Sequence, residues 1–338
     1  MKHPDSKKLW LADDDERWKG VEVAIGSSYD GSCQPAYFLP PPPDACGSAP
    51  LLVCLHTWSF GLENRTYSAL GANEASQRGW AMIAPEFRGP NDHPTACGSD
   101  AAVADIADAV GFALSAAPNR IDPDRVYLIG ASGGGHAALL MAGRHPGLWA
   151  GVCAGCPISD LARWHEETSR SSCGNNRYAH MLEQVCGGTP TGKNDEYLHR
   201  SPLAFLGNAS SLPVDICEGI HDGHGAFSVP VGHSIRAFNA LADDADQIDE
   251  ETISEIERSE TIPQEMRFKG KDPFFGKEAP VLLRRVSRNV RLTLFEGGHA
   301  FNFAHGVDWL SRQRRGRPAD WSIGAISRGP HGITEATQ

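Results

Sequence analysis

No stretch of the 338-residue sequence approaches the roughly 18 consecutive apolar residues that a membrane-spanning helix needs, so a soluble chain with no membrane partner is expected. The N-terminus, Met1-Lys2-His3-Pro4-Asp5, lacks the apolar core of a signal peptide. The chain is therefore expected either to stay inside the cell or to have had a signal trimmed. Positive charge is in deficit: 31 Lys and Arg stand against 42 Asp and Glu, a formal charge of -11. Such a surface repels phosphate backbones, which excludes nucleic acid as an expected partner. The one basic cluster, Arg312, Arg314, Arg315 and Arg317, reads as a solvated helix end. A disulfide framework is missing too, because the 9 cysteines are odd in number and scattered. Cys54, Cys153, Cys156 and Cys217 lie in apolar runs as small buried hydrophobes, while Cys173 and Cys186 are a candidate pair only in an exported protein.

Hydrophobic residues at 41% and charged residues at 22% exclude a disordered, collagen-like or coiled-coil chain. The length suits one large α/β domain as well as two domains, with a core that needs neither metals nor disulfide staples. Val21 to Ile25 and Cys33 to Leu39 read as strands joined by a turn at Asp30-Gly31. After Pro40 to Pro43 the texture changes. Apolar runs at Leu51–Leu55, Trp80–Ala84, Val126–Ile129, Trp149–Cys153, Val214–Cys217 and Val290–Phe295 predict strands. A helical period over Ala101 to Ala117 falls between the second and third of them. Continuous apolar strands separated by helices imply a mostly parallel sheet covered on both faces. Residues 1–49 are then an N-terminal segment whose hairpin joins the sheet, and 50–338 the main domain. Two stretches interrupt the rhythm. Residues 160–208 are polar with interspersed aromatics and resemble a lid. Residues 243–260 carry nine carboxylates against Arg258, and open an acidic insertion (243–280) expected to be solvated and mobile. Calcium binding is not expected there, because the regular loop spacing with a central glycine is absent.

The most informative stretch is Val126-Tyr127-Leu128-Ile129-Gly130-Ala131-Ser132-Gly133-Gly134-Gly135-His136. It reads as an apolar strand, then Gly-x-Ser-x-Gly, then an alanine- and leucine-rich helix. Lifting a serine hydroxyl above a sheet end requires a strand-to-helix turn within about two residues, with no room for neighbouring side chains. A phosphate loop is excluded because no Gly-Lys-Ser/Thr follows. Ser132 is the candidate nucleophile.

A serine hydroxyl needs a base to remove its proton and a carboxylate to orient that base, both downstream in this architecture. Asp222 follows the predicted strand Val214–Cys217, and His299 sits on Glu296-Gly297-Gly298-His299 after Val290–Phe295. Glu218 is the alternative acid, and Asp215, inside its strand, reads as structural. His221 and His224 flank Asp222 without a third clustered ligand, so no metal is expected. Cys153-x-x-Cys156 has no second pair and implies neither zinc nor redox chemistry. For the oxyanion, the expected donors are the amide of Gly133 and that of Trp58, in the loop His56-Thr57-Trp58-Ser59-Phe60-Gly61.

Taken together, these segments resemble the α/β-hydrolase superfamily, specifically the catalytic domain of the prolyl oligopeptidase family. The resemblance covers about Pro50 to Trp309. It rests on Phe87-Arg88-Gly89, on Ile121-Asp122-Pro123-Asp124-Arg125-Val126, on Gly130-Ala131-Ser132-Gly133-Gly134, on Tyr197 to Leu203, on Gly219 to Asp222 and on Gly297-Gly298-His299. It implies an α/β-hydrolase fold and serine hydrolysis by Ser132, Asp222 and His299 without a cofactor. Three departures stand out: with only about 50 residues before the hydrolase core no propeller is expected, the path from Asp222 to Val229-Pro230 is long, and the acidic insertion separates Asp222 from His299.

Stand-alone members resemble esterases, so the expected activity is cleavage of carboxylic esters, with acyl groups on carbohydrates as one substrate class. A small-molecule or glycan-linked ester is then the partner. Trp58, Trp164, His165 and Phe301 are the expected pocket wall, although for Trp58 packing beneath the lid is an equal reading. The alternative is a peptidase or aminopeptidase of the same family. A catalytically dead binding protein would lack a triad member, and a lipase would show a long amphipathic lid helix.

Overall fold

The computed structural model describes residues 20–323 except 44, 46, 171–175 and 225–228, together with the short strand Thr334–Glu335. In chain order the strands of the main sheet are β1 (Val21–Gly26), β2 (Cys33–Leu39), β3 (Ala49–Leu55), β4 (Ala81–Pro85), β5 (Ile121–Ala131), β6 (Gly151–Gly155), β7 (Val214–Gly219), β8 (Val281–Ser287) and β9 (Val290–Phe295). They lie in the order β1-β2-β4-β3-β5-β6-β7-β9-β8. Pairing from β4 through β3, β5, β6 and β7 to β9 is parallel, and the edges are antiparallel: β1 on β2, β2 on β4, and β8 on β9. This is the α/β-hydrolase fold.

Every residue of β3, β4, β6, β7 and β9 is buried because helices cover both faces. Side chains alternate between those faces. Leu51, Val53 and Leu55 join a core shared with α2 (Asp100–Ala116), α3 (Gly133–Arg144), α7 (Gly232–Asn239) and α8 (Glu250–Ser259). Leu52 and Cys54 point the other way, toward α1 (Thr66–Arg78) and α9 (Phe303–Leu310). The Phe87-Arg88-Gly89 turn, at φ values of 34°, 79° and 68°, aims Arg88 back at the β1–β2 hairpin. Its guanidinium meets Asp30 at 2.8 Å and Asp105 of α2 at 2.5 Å, which ties the hairpin turn to the sheet's helical cover.

Two parts of the fold differ from the sequence expectation. Strand β8 carries Arg284 and Arg285 and is only half buried, as an edge strand can be, so no apolar run marks it. The acidic stretch is not a free insertion. Ile248, Ile253, Ile256 and Ile262 are all buried in the main core, with Ile253 and Ile256 forming the apolar face of α8 and Ile248 and Ile262 flanking the helix. Arg236 of α7 bonds Glu250 at 2.8 Å and approaches Glu257 at 3.4 Å, so a buried cation holds two of the carboxylates.

The lid region consists of α4 (Leu161–Ser169), α5 (Asn176–Cys186) and α6 (Pro190–Arg200), followed by short 3-10 turns. It closes a third apolar cluster containing Trp58, Cys97, Trp164, Tyr178, Leu182 and Tyr197. Cys186 is a buried free thiol, and Cys173 lies outside the described residues. Two of the four arginines near the C-terminus are neutralised within the chain, Arg312 on Asp308 and Arg315 on Asp124, both at 2.7 Å. Among the described residues no helix is long and apolar enough to cross a membrane.

Candidate active site

The Gly-x-Ser-x-Gly segment forms the tight corner between β5 and α3. Ser132 sits at φ 57°, ψ −120°, a region that costs a non-glycine residue about 1–3 kcal/mol. The corner is held by the Ser132 N–H donating to Gly155 O at 2.9 Å, across to the neighbouring strand β6. Glycine is required at its flanks for steric reasons. A Cβ on Gly130 would lie 2.4 Å from Gly134 O, and one on Gly133 would lie 2.5 Å from both N and Cα of Trp58.

That second contact places the loop expected to supply an oxyanion donor. The backbone of His56-Thr57-Trp58 runs directly over the first turn of α3, where helix geometry leaves the N–H of Gly133 without an intrahelical partner. The Trp58 carbonyl accepts from Asn91 N at 2.9 Å, while among the described residues its own N–H meets no acceptor. His56 fixes this loop from behind. It stacks on Phe87 at 3.8 Å, and its ring nitrogens bond Thr57 O at 2.9 Å and Glu86 O at 2.6 Å. Burial is the largest influence and holds its pKa below the usual histidine value, while the two carbonyl acceptors, which only a protonated ring could satisfy together, oppose that shift.

Asp222 and His299 stand on the loops after β7 and β9, strands that are themselves paired. His299 Nδ1 and Asp222 Oδ2 are 2.5 Å apart, a short, charge-assisted separation. Asp222 Oδ1 accepts from the N–H groups of Gly223 and Val229, each at 2.9 Å, so the carboxylate is fixed at both ends. The structure thus pairs His299 with Asp222 and not with Glu218, which lies lower on β7 and is fully buried. Asp215 is structural, bonded through both oxygens to Arg291 at 2.8 and 2.7 Å beneath the sheet.

Cys156 lies next to the serine corner in one direction and to the Asp222–His299 pair in the other. This residue follows Gly155, the acceptor of the Ser132 N–H. Its thiol, a carboxylate oxygen of Asp222 and a ring nitrogen of His299 lie within 4.8 Å of one another. Among the described residues this is the one trio with metal-ligand spacing, and two of its members are already bonded together. Burial raises the Cys156 thiol well above the usual cysteine value, with Asp222 and Glu218 adding to the effect. It is therefore a neutral thiol, donating to Ala300 O at 3.2 Å. Ser132 Oγ is fully buried and has no hydrogen-bond partner among the described residues.

His221 and His224 do not converge on a metal. The two nitrogens of His221 reach opposite carboxylates, Glu260 at 2.7 Å and Glu296 at 2.5 Å. His221 N also donates to Gly297 O at 2.9 Å, so this residue clips the acid loop to the histidine loop and to the end of α8.

The residues expected to wall a pocket are placed unevenly. Trp58 and Trp164 are fully buried, edge to face at 4.7 Å, and form the lid's own core. Phe301 is also fully buried, against Gly155, where a Cβ would come within 2.3 Å of its ring. His165 packs within the lid, edge-on to Tyr197, and bonds Glu183 at 2.9 Å. Sequence reasoning did not single out Tyr67 of α1, which stands near Cys156 with a buried hydroxyl that has no partner among the described residues. Nothing local in the sequence marks it, since α1 and β6 meet only through the fold. Thr57 Oγ1, Trp58 Nε1 and Ser59 Oγ are likewise buried without partners.

Comparison with known proteins agrees with this architecture. No curated relative matches. Among solved structures, an acylaminoacyl peptidase from Pyrococcus horikoshii superposes with a TM-score of 0.55 at 17% identity, over 67% of this chain and 35% of that one. The apo form of prolyl oligopeptidase B from Galerina marginata gives 0.54 at 19% identity, over 68% and 32%. The chain therefore spans about a third of the length of these proteins. Residues 72–255, which include the serine corner, the lid region and the Asp222 loop, match the prolyl oligopeptidase family, and the chain belongs to that family.

Proposed function

We propose that this chain is a serine hydrolase acting on peptide or related amide bonds through an acyl-enzyme. Ser132 Oγ attacks the scissile carbonyl, His299 takes its proton, and Asp222 holds the imidazolium that forms. The amides of Gly133 and Trp58 receive the oxyanion. His299 then returns the proton to the leaving amine, and water, activated by the same imidazole, releases the acyl group. No cofactor enters these steps. The observation that carries the reading is the 2.5 Å His299–Asp222 contact on paired strand ends beside the strained Ser132 corner. The peptide preference is supported by family membership and by the two similar structures described above, an acylaminoacyl peptidase and a prolyl oligopeptidase. That support turns the reading away from the carboxylic ester expected from sequence, although the same machinery would cleave an ester.

The test compares the purified protein with Ser132→Ala on an alanyl p-nitroanilide and on p-nitrophenyl acetate. Anilide cleavage that disappears in the variant is the expected outcome. Ester cleavage with the anilide untouched would restore the esterase reading. Silence on both, with no fluorophosphonate labelling of Ser132, would refute the nucleophile itself.

A further inference from the structure

Glu218 is the unexplained group of the site. It is the fifth residue of β7, fully enclosed, and lies beneath the loop that carries Asp222. Neither of its oxygens makes a hydrogen bond of good geometry among the described residues, and the one donor beside it is the hydroxyl of Ser234, itself unpartnered. An ionised carboxylate in that position would be a buried charge beside the Asp222 carboxylate with a single hydroxyl to stabilise it, a costly arrangement for a protein to hold. A neutral carboxylic acid brings its own donor, and the acceptor in hydrogen-bonding contact with it is the carboxylate of Asp222.

We propose that Glu218 is a positioning residue: a protonated carboxyl group that donates its O–H to Asp222 and completes a chain of acid, carboxylate and imidazole behind Ser132. The inference rests on the assignment of Asp222 and His299 made above. Asp222 then has four donors: the N–H groups of Gly223 and Val229, His299 Nδ1, and Glu218. Together they fix the plane of the carboxylate, and with it the tilt of the imidazole.

The surroundings keep the proton in place from every side. Asp222 presents negative charge from its loop and Glu257 does so from α8, while Ser234 of α7 is the polar group nearby that would favour ionisation. Cys156, past the end of β6, and Cys217 on β7 itself contribute neutral thiols, since burial raises both well above the usual value. Arg236 of α7 is engaged with Glu250 and Glu257 and neutralises them instead. Burial comes first among the causes that push Glu218 well above the ordinary glutamate value, and the charge of Asp222 comes second. No net proton is consumed in turnover; Glu218 keeps its proton while His299 cycles.

Infrared difference spectroscopy on the Ser132→Ala protein, with and without Glu218→Gln, tests the protonation state without relying on turnover. The expected result is the carbonyl stretch of a protonated carboxylic acid that vanishes with Glu218→Gln. Absence of that band would overturn the proposal whether or not the protein hydrolyses peptides. Kinetics then tests the role. Glu218→Gln keeps a donor toward Asp222 and should hold kcat within about threefold, whereas Glu218→Leu removes it and should lower kcat about tenfold or more with KM unchanged. An alkaline fall in activity, from ionisation of Glu218 against Asp222, should disappear in Glu218→Gln. Equal kcat and an equal pH profile in the Leu variant would reduce Glu218 to a packing residue. If the Leu variant fails to fold, the infrared band and the Gln pH profile decide alone.

Discussion

Replacing Gly133 by alanine adds one methyl group at the point where the serine corner and the oxyanion loop touch. The backbone conformation does not forbid it, because Gly133 opens a helix and is not among the left-handed glycines. The obstacle is space. The new Cβ would stand 2.5 Å from N and Cα of Trp58 and 2.9 Å from C of Thr57, where ordinary contact begins near 3.4 Å. All three atoms are backbone, so no side chain can swing aside, and the loop must retreat by about 1 Å, a displacement that typically costs about 10²-fold in rate. Losing the Trp58 amide outright as an oxyanion donor costs about 10²–10³-fold, or roughly 3–4 kcal/mol of transition-state stabilisation. Gly133→Ala should therefore lower kcat on the anilide by at least about 10²-fold while KM changes little, since the ground-state carbonyl gains less from the hole than the oxyanion does. Steady-state kinetics with active-site titration by a fluorophosphonate measures this, and circular dichroism checks that the fold survives. A variant with kcat within threefold of wild type would refute the assignment of Trp58 N–H and Gly133 N–H as the oxyanion donors.

Three further outcomes follow from other parts of the molecule. Arg291→Met strands Asp215 as an unpaired buried charge and should cost about 3–5 kcal/mol in urea unfolding; adding Asp215→Leu should recover most of it. Ile256→Ala, in the acidic stretch, should cost about 2–5 kcal/mol because Ile256 is fully buried, whereas a free insertion would show no loss. His221 is held above the ordinary histidine value, chiefly by Glu296 and then by Glu260, so its contribution is fully present below the unfolded value of 6.5 and is lost as pH rises through the raised folded value. The stability difference between wild type and His221→Asn should thus shrink from acid to alkaline pH and stay under about 1 kcal/mol, because the ring is 39% exposed.

Much of this protein is written in local pattern. The apolar runs that predict β3 to β7 and β9 are runs because those strands are covered on both faces, so every position answers to the core. Ser132, Gly130 and Gly133 declare themselves for a similar reason: a turn that sharp admits few residue types, and the constraint is carried by consecutive residues. Asp222 and His299 are legible because strand ends and glycine loops mark where a parallel sheet can present side chains.

Other features belong to the tertiary structure alone. Negative charge density says nothing of what faces α8; only Arg236, contributed by a different helix, and the buried isoleucines turn that stretch from solvated chain into core. The choice of Asp222 over Glu218 as partner of His299 is one of depth at a strand end, which a sequence does not state. Trp58 and Trp164 are aromatic in the sequence whether they line a pocket or fill a core, and packing at 4.7 Å with no exposure decides where they sit. Tyr67, Cys156 and Glu218 reach the site from a helix, a strand end and a strand interior that carry no common motif. Residues that must bend the chain leave their mark in sequence, whereas residues that meet only through long-range packing acquire their environment, and with it their chemistry, when the sheet assembles.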